Sequence, residues 1–389
     1  MSGNMPIDRM AERVEQVVQG AVARGRLVGA VVLVAVDGAV VVRCAAGLAD
    51  RDADVPMRGD ALMRLASLTK PVVTALTLAL AERGRLEPGD PVTRFLPDFR
   101  PAGPDGAVPV ITLHHLLTHM SGLSYGFAFP RDDNPYARAG VSDGIAEPGM
   151  TLADNLARLA SVPLTFAPGE GWQYSLGLDV MGGVLERAGD APLPELVRQY
   201  IGDPLGWTES GFAVSGPGLL TGAYADGRPA PIAMGERYVM PRLLSDGRTS
   251  EIVFAPDRVL NPASYPSGGA GLVGTAGEFL RFLEALRTGG GPILSPDSAA
   301  AFGRNAIGEV SMGPMNVGMR FGLGAAVVDD PEQARTPVSR GGFTWGGVYG
   351  HQWIVDRARG TTIVMMSNTA LAGMAGPYCD AVRNAVYGV

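Results

Sequence analysis

The chain has 389 residues, of which 46% are hydrophobic, and its formal net charge is −7. This length is typical of two domains, or of one domain with a large insertion, and the apolar fraction is enough for a large core. No block of Lys and Arg stands out, which argues against nucleic acid or an acidic membrane surface as a partner. No apolar run approaches the roughly 18 residues of a membrane span, and the N-terminus lacks the basic and apolar regions of a signal peptide. We therefore expect a soluble, cytoplasmic protein.

The first part of the chain predicts a helix, a hairpin and a second helix. Apolar residues at helical spacing predict an amphipathic helix over residues 6–24. Two β-branched runs then flank Asp37-Gly38, which is a strong signal for a two-residue hairpin. A long apolar helix follows and begins near Ser67, because Pro71 is tolerated in a first helical turn.

The middle of the chain, residues 85–267, has the pattern of helices joined by loops rich in proline and glycine. Two stretches, 126–150 and much of 206–267, show no helical or strand period. Loops of this length usually line functional sites in compact domains. Helices are predicted over 112–119, 151–161, 175–188 and 193–201.

The last part of the chain alternates strand and helix patterns. A helix is predicted over 275–287, strands over 320–328, 343–349, 352–356 and 361–367, and a final helix over 377–387. Strands at both ends of the chain favour one antiparallel sheet flanked by the terminal helices, an α/β (α+β) fold. We assign residues 1–66 and 268–389 to this discontinuous sheet domain and residues 67–267 to a mostly helical insertion. The functional site is expected at the seam between them.

The two cysteines, Cys44 and Cys379, lie in segments with the pattern of a buried core. Neither belongs to a C-x-x-C motif, so a cysteine metal site or redox site is not indicated. We expect two buried free thiols rather than a disulfide.

Ser67 and Lys70 form an S-x-x-K motif at the start of the second helix. Residues three apart share a helix face, so the two side chains are expected to be neighbours. Burial and a helix N-terminus both favour a neutral lysine, and a neutral amine beside a hydroxyl is a general base beside a nucleophile. The motif alone is common by chance, and Ser67 as a simple helix cap is the alternative.

Two further segments support a catalytic role for the S-x-x-K motif. "APGEGWQYSLGLDV" places Tyr174 and Ser175 at a loop-to-helix junction, and "GGFTWGGVYGHQWIVD" is a glycine-rich strand that contains Trp345. The S-x-x-K, Y-S-x and W-G-G segments, in this order, resemble the serine β-lactamase and penicillin-binding protein superfamily. The phrases "LHHLLTHMSGL" and "GGAGLVGTAGEFLRFL" fit the same group, and within it the chain is most similar to family VIII carboxylesterases.

This resemblance implies a β-lactamase-like fold and a role for each matching residue. Ser67 would be the nucleophile, and Lys70 and Tyr174 would together take and return its proton. The backbone N–H groups of Ser67 and Val348 would form the oxyanion hole. No metal or cofactor is implied, and the partner would be a small-molecule ester. The residues implied in substrate binding are Trp345, Tyr125, Gly346, Gly347 and Leu176.

Two departures from the lactamase pattern favour an ester over a β-lactam as substrate. Leu176 stands where lactamases have an asparagine that binds an acylamino group, and Trp345 stands where they have a cation that binds the substrate carboxylate. Each missing anchor is typically worth about 1–3 kcal/mol. The resemblance therefore implies a serine carboxylesterase for short-chain or small aryl esters, with an acyl-enzyme on Ser67 and little or no β-lactamase activity.

Other functions of the same fold remain open at this stage. A β-lactamase, a D-Ala-D-Ala peptidase or an acyltransferase would use the same Ser-Lys-Tyr site. A catalytically inactive binding module is a further alternative, and the intact Ser67, Lys70 and Tyr174 argue against it.

Several residues match the sequence patterns of other kinds of functional site. Ser124 is the centre of G-x-S-x-G, the nucleophile elbow of α/β-hydrolases, but a helix-like segment precedes it where an elbow requires a strand. His115 and His119 are four apart, yet they lack the glutamate and third ligand of a metal site. We predict structural roles for both, and a similar role for His351. Asp179 either orients site residues or is a capping or solvated carboxylate, and Trp172 and Trp353 are predicted to be core.

Overall fold

The computed structural model describes residues 7–214 and 217–389. Its helices are α1 (Ile7–Ala23), α2 (Thr69–Ala81), α3 (Leu113–Leu117), α4 (Pro135–Ala139), α5 (Leu152–Ala160), α6 (Gly177–Gly189), α7 (Leu193–Val197), α8 (Asp203–Leu205), α9 (Ala276–Arg287), α10 (Pro296–Ala301) and α11 (Pro377–Tyr387). Its strands are β1 (Gly29–Val36), β2 (Ala39–Asp50), β3 (Val55–Pro56), β4 (Met63–Arg64), β5 (Tyr224–Ala225), β6 (Ile232–Ala233), β7 (Tyr238–Leu243), β8 (Thr249–Phe254), β9 (Val273–Gly274), β10 (Met319–Phe321), β11 (Ala326–Val328), β12 (Phe343–Gly347), β13 (His351–Asp356), β14 (Thr361–Ser367) and β15 (Thr369–Ala370).

The main sheet has eight strands in the order β10-β11-β12-β13-β14-β1-β2-β3. All neighbouring pairs are antiparallel. Strand β1 lies between β14 and β2, and Val32 faces Met365 on one side and Cys44 on the other. The strands from the two ends of the chain thus form one antiparallel sheet, which confirms the predicted fold class.

Successive side chains of β1 point to opposite sides of the sheet, and each side is covered by a core, so the strand is buried on both faces. Val32 and Val34 pack in the core beneath the terminal helices α1 and α11. Val31 and Leu33 face the larger core, which includes α9 and most of α2. The continuous valine-rich run in β1 follows from this double burial.

Helix α2 lies in the centre of the larger core. Every residue from Thr69 to Leu80 is buried, which is expected for a helix that is apolar on nearly all sides. Its buried polar side chains need partners, and Thr77 Oγ1 donates to Val73 O at 2.8 Å. Lys70 lies at the N-terminal end of this helix, where it faces the functional site.

Most of the local predictions are confirmed, with shifts of one or two residues at the ends of elements. The hairpin turns at Asp37-Gly38, whose φ angles of 48° and 86° match the left-handed conformations that this turn requires. One exception is the predicted strand 320–328, which is two strands, β10 and β11. Gly324 has a φ of 75°, and Gly322 N donates to Ala325 O at 2.8 Å, so the chain reverses there.

The region 206–267, predicted to be without regular structure, contains strands β5 to β8. Strands β7 and β8 form a hairpin, and β5 pairs in parallel with β15 near the end of the chain. Strands β5 and β6 have only two residues each, and the partner of β5 is distant in sequence, so neither gives a local signal. The predicted helix 193–201 is α-helical only to Val197 and continues as a π-helical turn over Arg198–Gly202.

Cys44 and Cys379 are both buried free thiols, as predicted. Burial raises the pKa of Cys44 to about 11 and that of Cys379 to about 12, so both stay protonated near neutral pH. Across residues 7–214 and 217–389, no helix is both long enough and apolar enough to cross a bilayer.

Candidate active site

Ser67 lies in a short 3₁₀ turn, Ala66–Leu68, that leads directly into α2. Ala66 has a φ of 46°, an unusual left-handed conformation for a residue with a Cβ. The turn is held by Thr69, whose Oγ1 donates to Ala66 O at 2.6 Å and accepts from Leu272 N at 3.1 Å. Strained backbone of this kind is kept only where surrounding contacts hold it, and it is common at active sites.

Ser67 Oγ is hydrogen-bonded by the two residues predicted to act on it. Tyr174 Oη donates to Ser67 Oγ at 2.6 Å, and Lys70 Nζ donates to the same oxygen at 3.1 Å. Lys70 reaches Ser67 within one helical turn, as the S-x-x-K spacing predicts. Tyr174 arrives from the loop that precedes α6. A hydroxyl with two such neighbours is arranged for nucleophilic catalysis.

Lys70 is 1% exposed, and its Nζ has three acceptors. Besides Ser67 Oγ, it donates to Tyr125 Oη at 2.9 Å and to Gly269 O at 2.8 Å. Three acceptors match the three N–H groups of an ammonium. These three hydrogen bonds offset the cost of burying the polar end of Lys70.

Tyr125 is a direct partner of Lys70 as well as a wall of the cavity. It is 3% exposed, and its ring stacks on Phe127 with centroids 4.7 Å apart. Burial raises the pKa of Tyr125 well above its usual value, so it remains a phenol. The hydrogen bond to Lys70 was not predicted, because 55 residues separate the pair in sequence.

Asp179 supports the carbonyl that accepts from Lys70. It is completely buried, its Oδ1 accepts from Ser267 Oγ at 2.6 Å, and burial raises its pKa. A Cβ added at Gly269 would lie 2.4 Å from Asp179 Oδ2, so the carboxyl packs directly against this turn. Of the two roles considered for Asp179, its position agrees with orienting site residues. Ser267 and Gly269 were missed, since a glycine-rich loop carries no signal for the side chains that it approaches.

Strand β12 borders the site on the other side. Trp345 Nε1 donates to Tyr174 Oη at 3.2 Å, and Val348 follows the end of the strand. A Cβ added at Gly347 would lie 2.6 Å from Leu65 O, so only glycine allows the strand to approach the Ser67 turn this closely. This approach places Val348 beside the same cavity as Ser67.

The cavity above Ser67 has a volume of about 550 Å³. The two stretches without a sequence period contribute to its wall, through Phe127 and Ile145 from one and Arg242 and Ile252 from the other. Most of the lining is apolar, and this is typical of small-molecule sites. Further lining residues are Ser67, Tyr125, Asp143, Tyr174, Ala270, Asn316, Met319, Ala326, Thr344, Trp345, Gly346, Val348, Gln352, Leu371, Met374 and Ala375.

Two of the five predicted substrate-binding residues do not reach the cavity. Leu176 is completely buried at the N-terminus of α6, where its amide donates to Ser124 O at 3.2 Å. Gly347 is also buried, and the absence of a side chain there allows β12 to lie close to the backbone of Leu65. The predictions for these two are wrong because a motif gives position along the chain but not the direction of a side chain. Trp345, Gly346 and Tyr125 do line the cavity.

Ser124 does not have the geometry of a nucleophile elbow. It is 1% exposed, its amide donates to Tyr136 Oη at 2.7 Å, and its Oγ donates to Tyr125 O at 3.4 Å. It follows α3 rather than a strand. These contacts make Ser124 part of the packing beneath Tyr125.

The histidines have the structural contacts predicted for them. His115 Nδ1 accepts from Thr112 N at 3.2 Å and so caps α3, and His119 Nδ1 pairs with Ser175 Oγ at 3.1 Å. His351 Nε2 pairs with Arg64 O at 2.8 Å, and burial lowers the pKa of His351 to about 4.

The two tryptophans predicted to be core differ in burial. Trp353 is completely buried, whereas Trp172 is half-buried against a small apolar cluster. Within the described ranges, no three His, Cys, Asp or Glu side chains are placed to hold a metal ion.

The chain is similar to known proteins over most of its length. It is 47% identical over 381 residues to Esterase EstB of Burkholderia gladioli, a match that covers 97% of this chain and 95% of that protein. Its structure matches that of EstCE1, described as a hydrolase with promiscuous acyltransferase activity, with a TM-score of 0.93 and 40% identity over 98% of this chain and 99% of that one. A monacolin J acid methylbutanoyltransferase from Aspergillus terreus is 28% identical, with 78% of this chain and 76% of that protein covered.

The family match spans both the sheet and the helical parts of the chain. The family described as Beta-lactamase matches residues 14–386, a range that contains Ser67, Lys70, Tyr174 and the Trp345 strand. The resemblance seen in the motifs is thereby confirmed over nearly the whole length. This chain belongs to the β-lactamase family.

Proposed function

We propose that this protein is a serine carboxylesterase that hydrolyses short-chain or small aryl esters through an acyl-enzyme on Ser67. The observation that carries the proposal is the position of Ser67 Oγ, hydrogen-bonded by Tyr174 and Lys70 at the base of an apolar cavity of about 550 Å³. The likeness to EstB and EstCE1, named as an esterase and a hydrolase, supports it.

Acylation uses Tyr174 as the base. In the proposed reacting form Tyr174 is a phenolate, with Lys70 Nζ 4.7 Å from the centre of its ring and the Trp345 N–H directed at its oxygen. The phenolate accepts the proton of Ser67 while Oγ attacks the ester carbonyl carbon. The backbone N–H groups of Ser67 and Val348 hold the resulting oxyanion. Tyr174 then gives the proton to the leaving alkoxide as the ester C–O bond breaks, and the acyl group remains on Ser67.

Deacylation repeats these steps with water. Tyr174 accepts a proton from the water that attacks the acyl carbon, and it returns the proton to Ser67 Oγ as that bond breaks. An alcohol in place of water would yield a new ester. Acyl transfer is therefore a second candidate function, favoured by the acyltransferase activity in the description of EstCE1. Chromatography of the products formed with excess acceptor alcohol separates transfer from hydrolysis.

The decisive test is the identity of the nucleophile. Ser67→Ala is expected to lower kcat for 4-nitrophenyl butyrate by roughly 10⁴-fold or more, because the acyl-enzyme can no longer form. Ser124→Ala is the matched control, a second buried serine near the site, and it keeps the activity. Mass spectrometry of a sulfonyl fluoride adduct locates the reactive serine. An adduct on Ser124, or an active Ser67→Ala variant, would refute the proposal.

A further inference from the structure

A second cavity, of about 640 Å³, lies against the back of the active-site cavity. It is bordered by α1, by the start of α11 and by the turn over residues 371–376 that joins β15 to α11. Its wall includes Val17 and Ala21 from α1, and Tyr378 and Ala381 from α11. These apolar side chains suit an aliphatic chain. Arg24, Arg26 and Asp226 also line the cavity, and Arg26 Nη2 lies 3.8 Å from Asp226 Oδ1.

The two cavities share one wall. Leu371, Met374 and Ala375 line both of them, so the turn over residues 371–376 is the partition. Its backbone is held in place, since Leu371 N donates to Val348 O at 3.3 Å and Met374 N donates to Leu371 O at 2.9 Å. Leu371 has a φ of 61°, so its conformation is fixed by the surrounding contacts.

Within this partition, the side chain of Met374 fills the space beside Trp345. A Cβ added at Gly346 would lie 2.7 Å from Met374 Cγ, so the methionine occupies the room left by the missing side chain of Gly346. The side chain of Ala375 is too short to close a gap of this kind. Methionine is unbranched and adapts its shape to irregular spaces. Leu371 and Met374 are thus the two large side chains of the partition, and Met374 is the one that packs against β12 at Gly346.

We propose that Met374 is a specificity-determining residue that limits the length of one arm of the ester, and that its truncation joins the two cavities. This inference rests on the proposed esterase function. In the wild type, an arm that reaches Met374 meets a closed wall. With a smaller residue at 374, a longer aliphatic arm passes Gly346 and enters the space between α1 and α11.

The test is a chain-length profile measured in two series. One series varies the acyl chain of 4-nitrophenyl esters from butyrate to laurate, and the other varies the alcohol chain of alkyl acetates. Each methylene buried in the second cavity is worth roughly a fourfold gain in kcat/KM. Met374→Ala is therefore expected to raise the ratio of long-chain to short-chain kcat/KM about tenfold or more, in one of the two series.

Two variants separate an opened partition from a merely larger site. Met319 lines the first cavity and not the second, so Met319→Ala enlarges the site without opening the wall, and its ratio should stay near that of the wild type. Ala381 lines only the second cavity. Ala381→Phe added to Met374→Ala fills the new space and should return the profile to that of the wild type.

An unchanged ratio in both series for Met374→Ala, or a gain that Ala381→Phe does not reverse, would overturn the proposal. Met374→Val provides a smaller truncation if the alanine variant fails to fold, with the same expected direction. A wild type inactive on both series would instead refute the esterase function. Calorimetric binding of decanoate then tests the partition without catalysis, and equal affinity for the wild type and Met374→Ala would count against it.

Discussion

At the scale of single residues, Lys70 is the centre of the hydrogen bonds around Ser67. Its three acceptors are the hydroxyl of Ser67, the phenol of Tyr125 and the carbonyl of Gly269. Tyr174 has the shorter contact with Ser67 Oγ, 2.6 Å against 3.1 Å for Lys70. This shorter contact is why the proposed mechanism assigns the proton exchange with Ser67 to Tyr174.

Because Lys70 and Tyr174 act as one unit, their removal should not be additive. Lys70→Ala and Tyr174→Phe are each expected to lower kcat by about 10²–10⁴-fold with little change in KM, since both act in the transition state. The double variant should be scarcely slower than the worse single variant. Steady-state kinetics on one ester measures all four proteins. A double variant that loses the product of the two single effects would mean independent roles.

Asp143 predicts a dependence of stability on pH. It lines the cavity, and burial raises its pKa to about 7. An unfolded aspartate has a pKa near 4, so between roughly pH 4 and pH 7 the folded protein holds a proton that the unfolded chain releases. The protonated Asp143 carboxyl therefore stabilises the folded state at low pH, and this stabilisation is lost as pH rises through about 7.

Asp143→Asn removes this titration and keeps an oxygen for the Gly126 N–H, which donates to Asp143 Oδ1 at 3.1 Å. The variant should have a higher Tm than the wild type at pH 8, and this difference in Tm should disappear as the pH falls towards 4. Thermal unfolding across this range measures the gap, and the exposed Asp132→Asn is the control. A gap independent of pH would show that Asp143 does not titrate in this range.

At the scale of elements, the site depends on how closely β12 approaches the Ser67 turn. The strand brings Trp345 to Tyr174 and leaves Val348 beside the cavity. Gly347 makes this possible because its Cα lies against the backbone of Leu65. Strand and turn must therefore stay in register for the N–H groups of Ser67 and Val348, the proposed oxyanion donors, to face the same cavity.

Adjacent glycines in β12 provide a matched pair of substitutions. Gly347→Ala places a Cβ 2.6 Å from Leu65 O, a backbone atom that cannot move alone, and the resulting shift should lower kcat about 10²-fold. Gly346→Ala meets Met374 Cγ at 2.7 Å, and a flexible side chain can move away, so the loss should be roughly tenfold or less. Kinetics on a short ester distinguishes the two, and equal losses would contradict this account of Gly347.

At the scale of the whole molecule, the cavity is assembled from parts that are distant in sequence. Ser67 comes from the turn before α2, Tyr174 from the loop before α6, Trp345 from β12 and Arg242 from β7. A neutral ester needs only the nucleophile, the base and the oxyanion donors. Productive attack on a β-lactam also needs anchors for two polar groups on the ring, and the motifs place these anchors at Trp345 and Leu176. Trp345 carries no charge and Leu176 is buried outside the cavity, so neither residue supplies an anchor.

A cephalosporin with an acetoxymethyl group offers both bonds in one substrate. We expect acetate release with the lactam ring intact, because attack on the ester needs only groups that surround Ser67. Chromatography detects acetate, and ultraviolet absorbance follows the ring. Ring opening as fast as deacetylation would favour the β-lactamase alternative. Ser67→Ala should abolish whichever reaction occurs.

Local features of the fold could be predicted from the sequence because they depend on neighbours along the chain. The helical period of α1, the Asp37-Gly38 turn and the S-x-x-K spacing each follow from contacts within a few residues. The order of the motifs indicated the family, and the family resemblance predicted that Ser67, Lys70 and Tyr174 lie together.

Only the tertiary structure decided which side chains face the cavity. Leu176 and Tyr174 are two residues apart, yet one is buried in the core and the other contacts Ser67, because the chain turns into α6 between them. The same holds for the three acceptors of Lys70 and for Met374 in the wall between the cavities. Such contacts join positions far apart in sequence, and their geometry depends on packing that no local pattern encodes.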